Sequence, residues 1–146
     1  MNWTDYYIQM ARVVANKSKD ESTKVGCIIV GHDKEIRATG FNGFPRGVND
    51  DADRYADRNT KLLYIVHAEA NAVAAAARVG VSLKGCTAVV TKFPCSQCAA
   101  LLIQAGVTKV MAPSFKRDDR WIASNRAAET MFTEAKVSVE TYFPGD

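Results

Sequence analysis

The chain has little of what marks membrane-spanning, secreted or fibrous proteins. No apolar run approaches the ~20 residues that a membrane helix requires, so no membrane partner is expected. The N-terminus, MNWTDYYIQMARVVANKSKD, carries an acid at Asp5 and no uninterrupted apolar stretch. That argues against a secretory signal and leads us to expect a cytoplasmic protein. There is no internal repeat, low-complexity tract or Pro/Gly/Ser linker, so residues 1–146 are expected to form a single domain. An excess of charge is missing too. The 19 basic residues against 16 acidic ones leave a net +3, too mild to imply nucleic acid but no obstacle to a small phosphorylated ligand. Cysteine is sparse: Cys27, Cys86, Cys95 and Cys98 are the full set. In a reducing compartment a Cys-x-x-Cys pair is redox-active or holds a metal. What remains, 47% hydrophobic and 24% charged, is the make-up of an ordinary globule able to bury a core.

Periodicity sets out the elements. Residues 3–16 place Trp3, Tyr7, Met10, Ala11 and Val14 at helical spacing. Val25 to Val30 reads as a buried strand, Gly31 to Lys34 as a turn, and Ile36 to Phe41 as the returning strand of a hairpin. Asn42 to about Asn59 is polar and rich in turn formers, and a loop that long in a compact domain is usually functional. From about Val66 to Arg78 the alanine-rich run predicts a helix. Thr87–Thr91, Lys109–Ala112 and Val137–Tyr142 read as strands, and Cys95–Gln104 and Trp121–Ala135 as helices. This order predicts an α/β chain with a mixed five-stranded sheet, parallel crossovers and helices on both faces.

The chemistry concentrates in two short segments. One is His67-Ala68-Glu69; the other, twenty-five residues beyond Glu69, is Pro94-Cys95-Ser96-Gln97-Cys98. Together they supply one imidazole, two thiols and a carboxylate. Three protein ligands on a tetrahedral zinc leave one position open, which is what a catalytic ion needs to hold water. Both segments open helices, and the free N–H groups and positive end of a helix favour thiolates. Cys95 and Cys98, three apart, share one face of the first turn. Glu69 poses a constraint. Two helical steps rotate a side chain by about 200°, so His67 and Glu69 reach one ion only if His67 stands at the irregular helix start. The redox reading lacks a Trp or Gly beside the first cysteine and does not explain the neighbouring His-x-Glu. A closed structural zinc site would need a fourth ligand from Cys27, Cys86 or His32, each better placed as a core or surface residue, and gives Glu69 no task.

His-x-Glu followed by Pro-Cys-x-x-Cys resembles the zinc nucleobase deaminases of the cytidine deaminase superfamily. Three further segments are similar to the deoxycytidylate (dCMP) deaminase family: Ser18–Gly26, Gly40–Gly47 and Tyr64–Asn71. The similarity extends to about Ala112. It implies a three-layer α/β/α fold with one catalytic Zn2+ on His67, Cys95 and Cys98, and Glu69 as the proton carrier. The implied reaction is hydrolysis of dCMP to dUMP and ammonia. Carried over by position, Asn42 would bind the sugar hydroxyl, Asn71 would lie near sugar or phosphate, and Ser22 and Lys24 would hold the 5′-phosphate through charge-assisted bonds. Relatives are often homohexamers activated by dCTP and inhibited by dTTP, with Mg2+ on the triphosphate. By the same resemblance Asn42, Gly43 and Arg46 would belong to the effector region.

The segment Ser114 to Trp121 follows the C-terminal end of the fourth strand, where open α/β sheets form ligand crevices. Phe115 is there to stack on a base, and Arg117 or Arg120 to reach phosphate. Two departures from the family stand out. Ala70 occupies a position where many relatives carry Arg, and the chain has too few spare Cys and His for a second, structural zinc. Lys92, just before the Phe-Pro-Cys run, adds positive charge near the site. Rival readings are a tRNA adenosine deaminase, a guanine deaminase and a non-catalytic zinc-stabilised module.

Overall fold

The structure is a computed structural model that describes residues 1–115 and 120–143. Five strands form one sheet: β1 (Gly26–Val30), β2 (Ile36–Phe41), β3 (Thr87–Val90), β4 (Lys109–Pro113) and β5 (Ser138–Tyr142). Their order is β2-β1-β3-β4-β5. β1 is antiparallel to both β2 and β3, whereas β3, β4 and β5 run parallel. The helices are α1 (Trp3–Ala15), α2 (Ala52–Ala56), α3 (Arg58–Tyr64), α4 (Ala68–Val79), α5 (Ser96–Gln104) and α6 (Ile122–Glu134). None of the described helices is long and apolar enough to cross a membrane.

The sheet separates two cores, giving the expected three layers. On one face α4, α5 and α6 bury Ala72, Ala76, Ala99, Leu102, Ala128 and Phe132 against Cys27, Ile29 and Val90. On the other, α1 buries Tyr7, Ile8 and Ala11 against Ile28, Val30 and Val89. β1 is buried along its whole length, which explains its unbroken apolar run. Glycine brings the α4 layer close: a Cβ at Gly40 would meet the backbone of Ala68 and Ala72.

The polar stretch before the His-x-Glu segment is not one loop. It contains α2 and α3, neither of which buries a residue. With no apolar stripe they give no helical periodicity to read. The start of α3 rests on local chemistry, since Asp57 caps it by accepting from the Asn59 N–H at 3.1 Å, whereas Asp51 makes no side-chain cap for α2.

Strand direction positions the site. The C-terminal ends of β2, β3 and β4 and the N-terminal end of β1 emerge at the same margin of the sheet, as the pairing of Gly26 with Phe41 and of Cys27 with Val90 shows. The segments that follow or precede them there carry Asn42, Cys95, Arg120 and Asp20.

Candidate metal centre and active site

Each metal donor stands at a helix mouth. His67 is the N-cap of α4, with extended dihedrals (φ −69°, ψ 157°), and Glu69 lies in the first turn. Cys95 is the N-cap of α5 (φ −73°, ψ 170°), and its Sγ accepts from the Cys98 backbone N–H at 3.5 Å. The constraint raised by the two-residue spacing is met in this way. Because His67 has left the helix, its ring and the Glu69 side chain are released from helical spacing.

His67 Nδ1 lies 3.5 Å from Cys95 Sγ and 3.5 Å from Cys98 Sγ. Zn–S bonds of about 2.3 Å and a Zn–N bond of about 2.0–2.1 Å at the tetrahedral angle place S and N about 3.6 Å apart. The two separations therefore fit the edges of a zinc tetrahedron. His67, Cys95 and Cys98 gather their ligand atoms within 4.8 Å of one another, and among the described residues no fourth His, Cys, Asp or Glu joins them. Cys27 and Cys86 are buried elsewhere, Cys27 within β1. The donor set suits a zinc ion with one corner left for solvent or substrate.

The electrostatics agree. Hydrogen bonding from Cys98, with help from His67, holds the Cys95 thiol down to about 4 against the effect of burial. Cys98 is raised by its bond to Cys95 and by burial. The bond to Cys95 also raises His67. A divalent cation among the three donors favours thiolate at both sulfurs. Glu69 is 4% exposed, and burial pushes its carboxyl up to about 7, the Cys95 charge adding to the rise. A carboxyl poised near neutrality can both accept and return a proton.

His67, Glu69 and Cys95 open onto a cavity of about 120 Å³, which Phe93 and Asn42 also line. Arg58, Lys61, Lys92 and Arg120 bring four cations to its walls, and Trp121 lies among them, with Lys92 Nζ 5.8 Å from the centre of its ring.

The other residues singled out in the sequence divide around this cavity. Asn42 is buried, and backbone engages both ends of its amide: Oδ1 accepts from Val25 N–H at 2.9 Å and Nδ2 donates to Thr23 O at 2.8 Å. Asn71 Nδ2 donates to Phe41 O at 2.7 Å, tying α4 to the end of β2; it does not line the cavity. Ser22 Oγ donates to Asp20 Oδ1 at 2.8 Å and accepts from Lys61 Nζ at 2.9 Å, so it touches the cavity through Lys61. Lys24 Nζ donates to Ser18 O at 2.8 Å, outside the cavity wall. Phe115 packs edge-on against Phe93 at 4.8 Å between ring centres and lines a separate cavity with Arg126 and Glu129. Arg120 lines the main cavity, whereas Arg117 lies outside the described residues. Gly43 exchanges backbone hydrogen bonds with Val66, and Arg46 is exposed.

Sequence reasoning missed Arg58 and Lys61 because they lie on a helix it did not foresee. It also missed Trp121 and Asn125 at the start of α6. The i, i+3 spacing of Arg58 and Lys61 was the available signal, since it puts both cations on one helical face.

A three-layer fold with a His/Cys/Cys triad at two helix mouths and a buried glutamate beside it defines a zinc-deaminase architecture. The profile of the cytidine and deoxycytidylate deaminase zinc-binding region matches residues 1–113, and the chain belongs to that family. It is 43% identical over 146 residues to an uncharacterized deaminase in the luxG 3′ region of Aliivibrio fischeri, covering 99% of this chain and 95% of that one. It is 36% identical over 149 residues to human deoxycytidylate deaminase, covering 99% and 82%. Among solved structures, the dCMP deaminase of cyanophage S-TIM5 in complex with dCMP and dUMP superposes with a TM-score of 0.76 at 26% identity, covering 95% of this chain and 96% of that one.

Proposed function

We propose that this chain catalyses the hydrolytic deamination of dCMP to dUMP and ammonia. The observation that carries the reading is the joint placement of His67, Cys95, the buried Glu69 and four cations around one cavity, with the Cys98 sulfur within 4.8 Å of the other two donors. The likeness to a deaminase solved with dCMP and dUMP supports it. A zinc ion held by His67, Cys95 and Cys98 would orient a water molecule and acidify it. Glu69 takes that water's proton and passes it to N3 of the pyrimidine as the water's oxygen bonds C4; it then carries the proton of the new C4 hydroxyl to the amino group, whose bond to C4 breaks to release ammonia. Phe93, itself buried, gives the cavity an apolar lining beside Cys95. The cations suit a 5′-phosphate, for which charge-assisted hydrogen bonds are the strong ones. Arg58 and Arg120 line the cavity as candidates for that contact, while Lys61 is already engaged by Asp20 and Ser22.

The reading extends to regulation and assembly: a cytoplasmic homohexamer, switched on by dCTP and off by dTTP, with Mg2+ on the effector. Family membership and the exposed Arg46, next to the Gly43–Val66 bridge that leads into His67, support this extension.

Ammonia release measured with dCMP, deoxycytidine, CMP and guanine tests the substrate. Turnover of dCMP far above the other three is expected, and equal turnover of deoxycytidine would remove the phosphate from the reading. Repeating the dCMP assay with dCTP–Mg2+ and dTTP–Mg2+ tests the control, and an unchanged rate would reject it.

A further inference from the structure

The segment that delivers Cys95 leaves β3 at Thr91, whose N–H still donates to Gly26 O of β1 at 3.0 Å, and then turns into α5. Pro94 has no N–H to donate, and it is among the most fully buried residues. Its carbonyl and that of Phe93 need donors from elsewhere, because a buried carbonyl is seldom left unpaired. Both are met by one side chain: Asn125 Nδ2 lies 3.1 Å from Pro94 O and 3.4 Å from Phe93 O. Asn125 is 3% exposed. The adjacent residue does the complementary task. Ser124 Oγ accepts from the Ser96 N–H at 2.8 Å and donates to Ser96 Oγ at 3.2 Å.

The covalent geometry gives these contacts their meaning. The Pro94 carbonyl belongs to the peptide plane that ends at the Cys95 nitrogen, and the Ser96 N–H belongs to the plane that begins at the Cys95 carbonyl carbon. Each plane is rigid. Neighbouring residues at the start of α6 therefore grip the two planes that bracket Cys95. With both planes held, rotation of the Cys95 backbone is restrained, and so is the direction of its Cα–Cβ bond.

We propose that Asn125, assisted by Ser124, is a positioning residue that aims the Cys95 sulfur at the metal. The inference rests on the assignment of His67, Cys95 and Cys98 as metal ligands, and it does not depend on which nucleotide is deaminated. Asn125 acts through Cys95, so removing it loosens the ion.

Zinc-loaded wild-type protein is compared with Asn125→Ala, the volume-filling Asn125→Leu and Ser124→Ala. Zinc affinity is read by competition with a chromogenic chelator. The visible spectrum of the cobalt(II)-substituted protein reports ligand geometry, and thermal melting of the zinc-free proteins reports the fold. Both Asn125 variants are expected to bind zinc about 10- to 100-fold more weakly, the range seen when groups that orient metal ligands are removed. Their cobalt bands should shift, and Ser124→Ala should show a smaller change in the same direction. Variants that melt earlier yet keep wild-type zinc affinity and cobalt spectrum would overturn the proposal and leave Asn125 a packing residue. If the Asn125 variants do not fold, Ser124→Ala decides: unchanged zinc affinity and spectrum overturn it. A failure of the dCMP reading would appear in the substrate assay and leave these measurements untouched.

Discussion

Lys61 reaches across the cavity wall to Asp20, with Nζ 3.1 Å from Oδ2 and side-chain exposures of only 12% and 5%. Asp20 also accepts from the Ser22 hydroxyl at 2.8 Å and the Ser22 N–H at 3.0 Å. A loop before β1 is thereby pinned to α3. Burial works to raise the Asp20 carboxyl, but the Ser22 and Lys61 hydrogen bonds outweigh it and hold the group below its usual value. Held low in the folded chain, Asp20 contributes stability that is complete above its unfolded value of about 3.9. That stability is lost as pH falls through the lower folded value. Lys61→Met should destabilise the protein by about 3 kcal/mol, since it strands a buried carboxylate. It should also flatten the Asp20 part of the acid limb. Thermal melts of both proteins across the acid range check this, and parallel limbs would contradict it.

Glu69→Gln keeps the side chain's size and removes its ability to take a proton. Zinc content and secondary structure should match wild type, while ammonia release from dCMP should fall by about 10²–10⁴-fold. Elemental analysis and a steady-state assay on the same preparation suffice. Turnover near the wild-type rate would remove Glu69 from the reaction.

The donor triad was legible in the sequence because metal chemistry fixes ligand types and local spacing, whereas the place of His67 at a helix mouth came from the resemblance to the family. The five strands were legible too, since Cys27–Val30 and Ala88–Val90 carry the apolar runs that buried strands require. Recognition groups were harder. Arg58 and Lys61 sit on a helix that buries nothing, so no periodicity betrayed it. Phe115 looked like a base-stacking group from its place after β4, yet tertiary packing sets it against Phe93 in another cavity. Asn125 gave no signal, because the carbonyls it serves lie about thirty residues earlier.

Removing the metal should separate activity from fold. Neither of the two cores on either side of the sheet contains His67, Cys95 or Cys98, so zinc-free protein should keep its sheet and lose turnover. Zinc at a thousandfold excess over its dissociation constant should add about 4 kcal/mol of stability. Cys95→Ser should lose both the ion and that increment. One zinc per chain by elemental analysis is the expected stoichiometry.

Gly40→Ala tests how closely α4 must approach the sheet. The new Cβ would run into Ala68 O and Ala72 N and stand 2.9 Å from the Asn71 carbonyl carbon. These are backbone atoms and cannot turn aside, so α4 must shift. A loss of about 1–3 kcal/mol is expected, together with reduced turnover, because Glu69 moves with the helix. Denaturant unfolding measures the first and the ammonia assay the second.

Arg58→Ala should raise KM for dCMP at least severalfold and leave deoxycytidine kinetics unchanged. Equal effects on the two substrates would show that this guanidinium does not meet the phosphate.

The segments that emerge at one margin of the sheet have separate duties. The β3–α5 connection and the mouth of α4 hold the candidate reacting groups, whereas α3 brings Arg58 and Lys61, and the residues just before α6 bring Arg120 and Trp121, to the same cavity. If the proposed function holds, exchange of this second set would retarget the protein to a different base-bearing molecule while the first stays as it is. A change of specificity can therefore come from substitutions confined to two surface stretches, without redesign of the reacting centre.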